Sequence, residues 1–188
     1  MTTLSWTCVS IASIWMAGTT PADSPKDAWL IRPGRSIGTT FLGEQQLMVF
    51  AKFGMQSAKA GHEGDTAMGH SWIVWSGKSG HEIDVYTVRG PHDSSAHPEQ
   101  FVRQIRIESP SFHTAGGLRV GAPLESIGQG LTEAKIPSKT IRLFDNRKTG
   151  IAFEMRLNAK GRWRCFAILV HPKGRGVLEE YLQYQAYE

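Results

Sequence analysis

Few of the usual markers of enzyme chemistry occur in this chain, and each absence excludes a class of function. Only two of the 188 residues are cysteines, Cys8 and Cys165. Cys8 falls in a segment expected to be removed or held in a membrane, so no internal disulfide is expected in the mature protein. Cys165 sits in an apolar run and reads as a small buried hydrophobe. Neither C-x-x-C nor H-E-x-x-H occurs, which removes the common close ligand pairs of a zinc site. There is no G-x-S-x-G to present a nucleophile, and neither G-x-x-x-x-G-K nor G-x-G-x-x-G to cradle a phosphate. No cofactor is expected. Apolar runs are too short to cross a bilayer as a helix. The basic residues form no run and no known nucleic-acid motif, so nucleic acid is not an expected partner.

What is present suits a folded domain. Apolar residues make up 40% and charged residues 20%, well away from the composition of disordered chains. The net charge of +4 is unevenly spread: residues 113–188 hold 12 Lys+Arg against 7 Asp+Glu, and residues 1–112 hold 9 against 10. A basic second half favours an acidic partner or an anionic surface through long-range attraction, although scattered cations also make an ordinary solvated face.

From Leu4 to Gly18 there is no charge, and Met16-Ala17-Gly18 precedes a polar stretch. An apolar core followed by small residues reads as a signal peptide over 1–18, with a proline-containing linker over 19–31. No Lys or Arg precedes Leu4, so two other readings stay open. The true start lies upstream, or the segment packs into the core of a cytosolic structural domain. Export to the periplasm or outside the cell is the expectation, with association at the membrane surface allowed.

A short phrase then occurs twice. Leu42-Gly43 is followed by Val49 and Phe53, and Val120-Gly121 by Ile127 and Leu131 at the same offsets. After the first copy, Glu44 to Lys52 has the spacing of a short amphipathic helix. After the second, Pro123 to Ala134 is expected to be helical, with Leu124, Ile127 and Leu131 on one side. Alternating runs follow each copy: Glu82 to Thr87 and Phe101 to Ile107 in the first, Ile151 to Leu157 and Trp163 to Val170 in the second. Val177 to Tyr184 reads as a closing helix. The expected fold is α+β: two related helix-plus-antiparallel-sheet units over 32–112 and 113–188, helices on one face and the other face open.

These residues carry a resemblance. Leu42, Gly43, Val49, Phe53 and Gly54, then Val120, Gly121, Ile127 and Leu131, resemble the SmpA/OmlA-like outer-membrane assembly lipoproteins. They also resemble the tandem-repeat β-lactamase inhibitor proteins of similar architecture. Trp72-Ile-Val-Trp75 and the strand ending at Ile107 fit the same layout. The second copy departs in carrying Gly128 and Gly130 within the expected helix. The resemblance implies an envelope or secreted protein acting by contact with another protein, with no catalytic residues to carry over.

Two sets of residues are candidates for function. Period-two alternation puts Asp84, Tyr86, Arg106, Glu154 and Arg156 on the outward sheet face. Either Trp72 or Trp75 joins them if that strand is covered on one side only. They read as a protein-binding surface, although Trp72 and Trp75 in the core is an equally ordinary placement. The second set is the loop histidines His62, His70, His81, His92 and His97, which would serve a metal-dependent hydrolase if three converged on one ion. Solvated loop histidines are the commoner outcome.

Overall fold

Two sheets and one α-helix make up the described residues. The computed structural model describes residues 27–53, 58–59, 70–76, 82–90 and 99–179, with side chains described for all but 58–59, 70–76 and 82. Three short strands open the described chain: β1 (Leu30–Arg32), β2 (Ser36–Ile37) and β3 (Thr40–Phe41). Helix α1 (Gln46–Phe53) follows, then β4 (Ala58–Lys59), β5 (His70–Ser76), β6 (Glu82–Arg89), β7 (Gln100–Ile107) and β8 (His113–Thr114). The last strands are β9 (Thr132–Ala134), β10 (Ile141–Asn146), β11 (Ile151–Leu157) and β12 (Trp163–Val170).

The large sheet is antiparallel throughout, in the order β4-β5-β6-β7-β12-β11-β10-β9. It is two four-stranded meanders joined back to back where β7 pairs with β12. The small sheet, β3-β2-β1-β8, is mixed, because β1 runs parallel to β8. It therefore takes β8 from beyond residue 112 and begins at Leu30, inside the expected linker.

The two meanders share one register. In the first, Gly43 N–H donates to the Val102 carbonyl at 2.7 Å, and Val102 N–H donates to the Glu44 carbonyl at 2.8 Å. In the second, Gly121 N–H donates to the Cys165 carbonyl at 2.8 Å, and Cys165 N–H to the Ala122 carbonyl at 2.9 Å. Both glycines lie in the left-handed region, at φ +78° and +90°, where a side chain would be strained. β6 and β7 skip register between Tyr86 and Thr87; β11 and β12 skip it between Glu154 and Met155. These shifts stand at matching places, since Thr87 pairs with Val102 and Met155 with Cys165.

The expected α+β fold, with two helical units, is overturned. Among the described residues there is a single α-helix, and the chain is mostly β. The helix expected over Pro123–Ala134 is a three-residue 3-10 turn, Leu124–Ser126, followed by strand β9. Gly130 sits at φ +86°, a conformation no right-handed helix contains, and Gly128 lowers helix propensity two residues earlier. Sheet pairing with β10 then outcompetes a segment whose apolar spacing alone is helical. Of the closing helix expected over Val177–Tyr184, residues 177–179 form a turn, and the rest lies outside the described residues.

One core joins these layers. Ile83, Val85, Val102, Ile105, Ile107, Phe153, Met155, Ile168 and Val170 present one face of the large sheet. Ile31 and Ile37 of the small sheet and Val49 of α1 close over it. Fully burying side chains of this size is worth about 1.5–3 kcal/mol each. The opposite face carries a second cluster of Tyr86, Leu143, Ala152, Leu169 and Val177, with Leu178 against it. So the expected open face is not open at the centre: the segment at 177–178 lies across it, and the Gln104 side-chain amide donates to the Val177 carbonyl at 3.1 Å.

Candidate functional site

Strand pairing places Asp84 directly opposite Arg106. The Arg106 guanidinium donates to Asp84 Oδ2 at 2.7 Å, to Glu154 Oε2 at 3.0 Å through Nη2, and to the same oxygen at 3.2 Å through Nε. It also meets Glu108 at 2.5 Å. Arg156 binds the other oxygen of Glu154 at 2.8 Å. Phe166, the bulged residue of β12, lies under both cations, with the Arg156 Cζ 3.4 Å and the Arg106 Cζ 5.8 Å from the ring centroid. The expected face residues Asp84, Arg106, Glu154 and Arg156 are thus brought together into one network.

That network faces inward. Asp84, Arg106 and Glu154 are only 5%, 3% and 1% exposed. Buried charges persist only when paired and hydrogen-bonded, and here each guanidinium faces carboxylates that compensate it. Both carboxylates are shut away from solvent, an arrangement that holds strands in register rather than meeting a partner. Tyr86 is also buried, in the second apolar cluster. Trp72 and Trp75 stand on β5 opposite Tyr86 and Ile83; their side chains lie outside the described residues. Among the expected surface residues whose side chains are described, Arg156 alone is partly open.

A second polar group was not legible in the sequence. Asp145 Oδ1 lies 2.9 Å from His171 Nε2, and Asp145 Oδ2 accepts the Val177 N–H at 2.9 Å. His171 Nδ1 faces the Pro172 carbonyl at 3.1 Å. Aspartate after a strand reads as a turn former, and only the folded chain brings His171 and Val177 to it. This trio fixes the segment that closes the second face.

Cys165 has no catalytic character. Burial, reinforced by the Glu154 carboxylate and opposed by Arg106, pushes its thiol up to about 12. Among the described residues no three His, Cys, Asp or Glu side chains converge as a metal site would require. Of the loop histidines, His62, His81, His92 and His97 lie outside the described residues, and His70 opens β5 with its side chain undescribed.

Two cavities open on the second meander. One of about 510 Å³ is lined by residues of β9 with Asp145, Arg147, Val177 and Leu178. The other, about 400 Å³, lies between the 123–125 turn and the start of β12, lined by Pro123, Leu124, Glu125, Arg162, Trp163 and Arg164.

No family model and no curated protein matches this chain. Among solved structures it is similar to the uncharacterized protein yfeY from Escherichia coli, at 9% identity and a TM-score of 0.31. The match covers 54% of this chain and 80% of that one. A likeness so slight carries no argument about fold or function.

Proposed function

We propose that this chain is an exported, non-enzymatic binding module that works by contact with another protein. One observation carries the reading. Helix α1 buries Val49 completely yet turns Leu47 and Met48 outward, 75% and 53% exposed, with Ala51 exposed one turn on from Leu47. A two-sided apolar helix on a protein surface costs solubility and fits an apolar partner. The contact runs through α1 rather than the sheet face, because the charged residues of that face are spent on one another. The resemblance to envelope assembly proteins and tandem-repeat inhibitors agrees with this role.

The test has two stages in bacterial cells expressing the chain. Intact mass after fractionation is expected to show loss of roughly the first 18 residues outside the cytoplasm, the product expected of signal cleavage. A photo-crosslinking side chain at Leu47 is then expected to give a discrete heavier adduct, and one at exposed Lys148 none. Full-length cytoplasmic protein defeats the export half. No adduct from Leu47 defeats the contact half.

A further inference from the structure

Among the cations of the second meander, some hold a carboxylate and some do not. Arg142, Arg147 and Arg156 each hold a carboxylate, as Arg106 does on β7 of the first meander. Arg119, Lys160, Arg162 and Arg164 make no ion pair among the described residues, and three of the four are exposed. Lys160, Arg162 and Arg164 follow closely along the chain at one corner, with Arg119 on the turn before Pro123. Arg162 and Arg164 line the 400 Å³ cavity beside Leu124, Pro123 and the half-buried Trp163. Lys160 sits at the hairpin tip next to Gly161, where Gly161 N–H closes the turn on the Asn158 carbonyl at 2.9 Å. Arg119 begins the turn carrying Pro123, its carbonyl accepting the Ala122 N–H at 3.1 Å. Leu157, exposed and paired across the strands with Trp163, extends the apolar side.

The cavity exists because the second meander has no helix where the first carries α1. A three-residue turn covers less of the sheet than eight residues of helix, so Trp163 and Leu124 are left as an accessible apolar floor. We propose that this corner binds an acidic segment of another protein, one apolar side chain entering the cavity and flanking carboxylates meeting Arg162, Arg164 and their neighbours. Guanidinium forks bind carboxylates bidentately, and unpaired cations give up no existing bond to do so. The cations ring a bowl instead of forming a track, and Glu125 lies in its wall, which disfavours a run of phosphates. A bowl of this size takes one or two side chains. The inference rests on the binding-module reading but uses a different surface from α1, so either can fail alone.

The test is fluorescence anisotropy with the full chain and a short labelled peptide alternating Glu and Leu. Salt-sensitive binding is expected. Arg162→Glu with Arg164→Glu is expected to weaken it by about tenfold or more, the scale on which charge reversal acts at a contact. Lys135→Glu with Lys139→Glu, on exposed cations beyond β9, is expected to leave it unchanged. Replacing the peptide leucines with serine is expected to weaken binding without touching the protein fold. Equal affinity for a Lys/Leu peptide overturns the proposal, as does binding indifferent to Arg162 and Arg164. So does tighter binding of anionic vesicles or a single-stranded oligonucleotide, which would reassign the corner to lipid or nucleic acid.

Discussion

The first and second meanders of the large sheet follow one pairing plan with different contents. Where the first has Asp84 opposite Arg106, the second has Ala152 opposite Leu169 at the matching register. A charged cross-strand pair and an apolar one fill the same site on the same face. Where the first places Val102, the second places Cys165, each bonded to a left-handed glycine segment. Where the first sends α1 over the core, the second sends a 3-10 turn. Backbone register thus tolerates wholesale exchange of side chains, provided cross-strand neighbours change together.

Swapping that cross-strand pair is the severest test of the equivalence. Arg106→Leu alone takes the Arg106 cation from buried Asp84, leaves Glu154 with Arg156, and is expected to cost about 3–5 kcal/mol. Asp84→Ala with Arg106→Leu installs the pair that the second meander already uses. Its cost, from urea denaturation, is expected to fall below the sum of the single changes by about 1–3 kcal/mol. Strict additivity would show that the two positions are not interchangeable as a unit.

A smaller effect is expected at the glycines. A Cβ on Gly43 or Gly121 meets nothing within 4 Å, so alanine there pays only for the left-handed backbone. Each substitution is expected to destabilise by about 1–2 kcal/mol, and by similar amounts. A neutral Gly43→Ala beside a costly Gly121→Ala would break the correspondence.

The smallest effect belongs to the outer edge of the second meander. Arg142 holds Glu133 through two hydrogen bonds of 2.7 and 2.6 Å on an exposed surface. The hydrogen bond to Arg142 keeps the Glu133 carboxyl below its ordinary value of 4.5. Folding therefore favours the ionised form: the stabilisation is present above about pH 4.5 and is lost as pH falls through the lowered folded value. Glu133→Gln is expected to cost under about 1 kcal/mol at neutral pH. Melting curves of the two proteins are expected to converge in acid; a gap that persists there assigns the loss to packing.

Local order was legible where pattern and chemistry agreed. Clean alternation over Ile151–Leu157, with Asn158 and Gly161 after it, gave strand, turn and return strand as found. α1 was legible from its spacing, displaced by a residue or two. The same spacing failed over Pro123–Ala134, because periodicity carries no information about a glycine committed to positive φ or an edge strand waiting to pair. The candidate face was half legible. Period two placed Asp84, Arg106, Glu154 and Arg156 on one side of the sheet, and they do meet. Their burial was hidden, since alternation gives the side of the sheet and not what packs on it, such as Phe166, displaced by a bulge against both guanidiniums.

The strand rhythm, the paired glycines and the surplus of cations in the second half are properties of the chain itself, set by side-chain sterics and charge that act over a few residues. Which cations are spent and which remain available was settled by folding. An ion pair needs partners within a few ångströms, and Arg106 finds Glu154 only across an intervening strand, whereas Arg162 and Arg164 make no ion pair among the described residues.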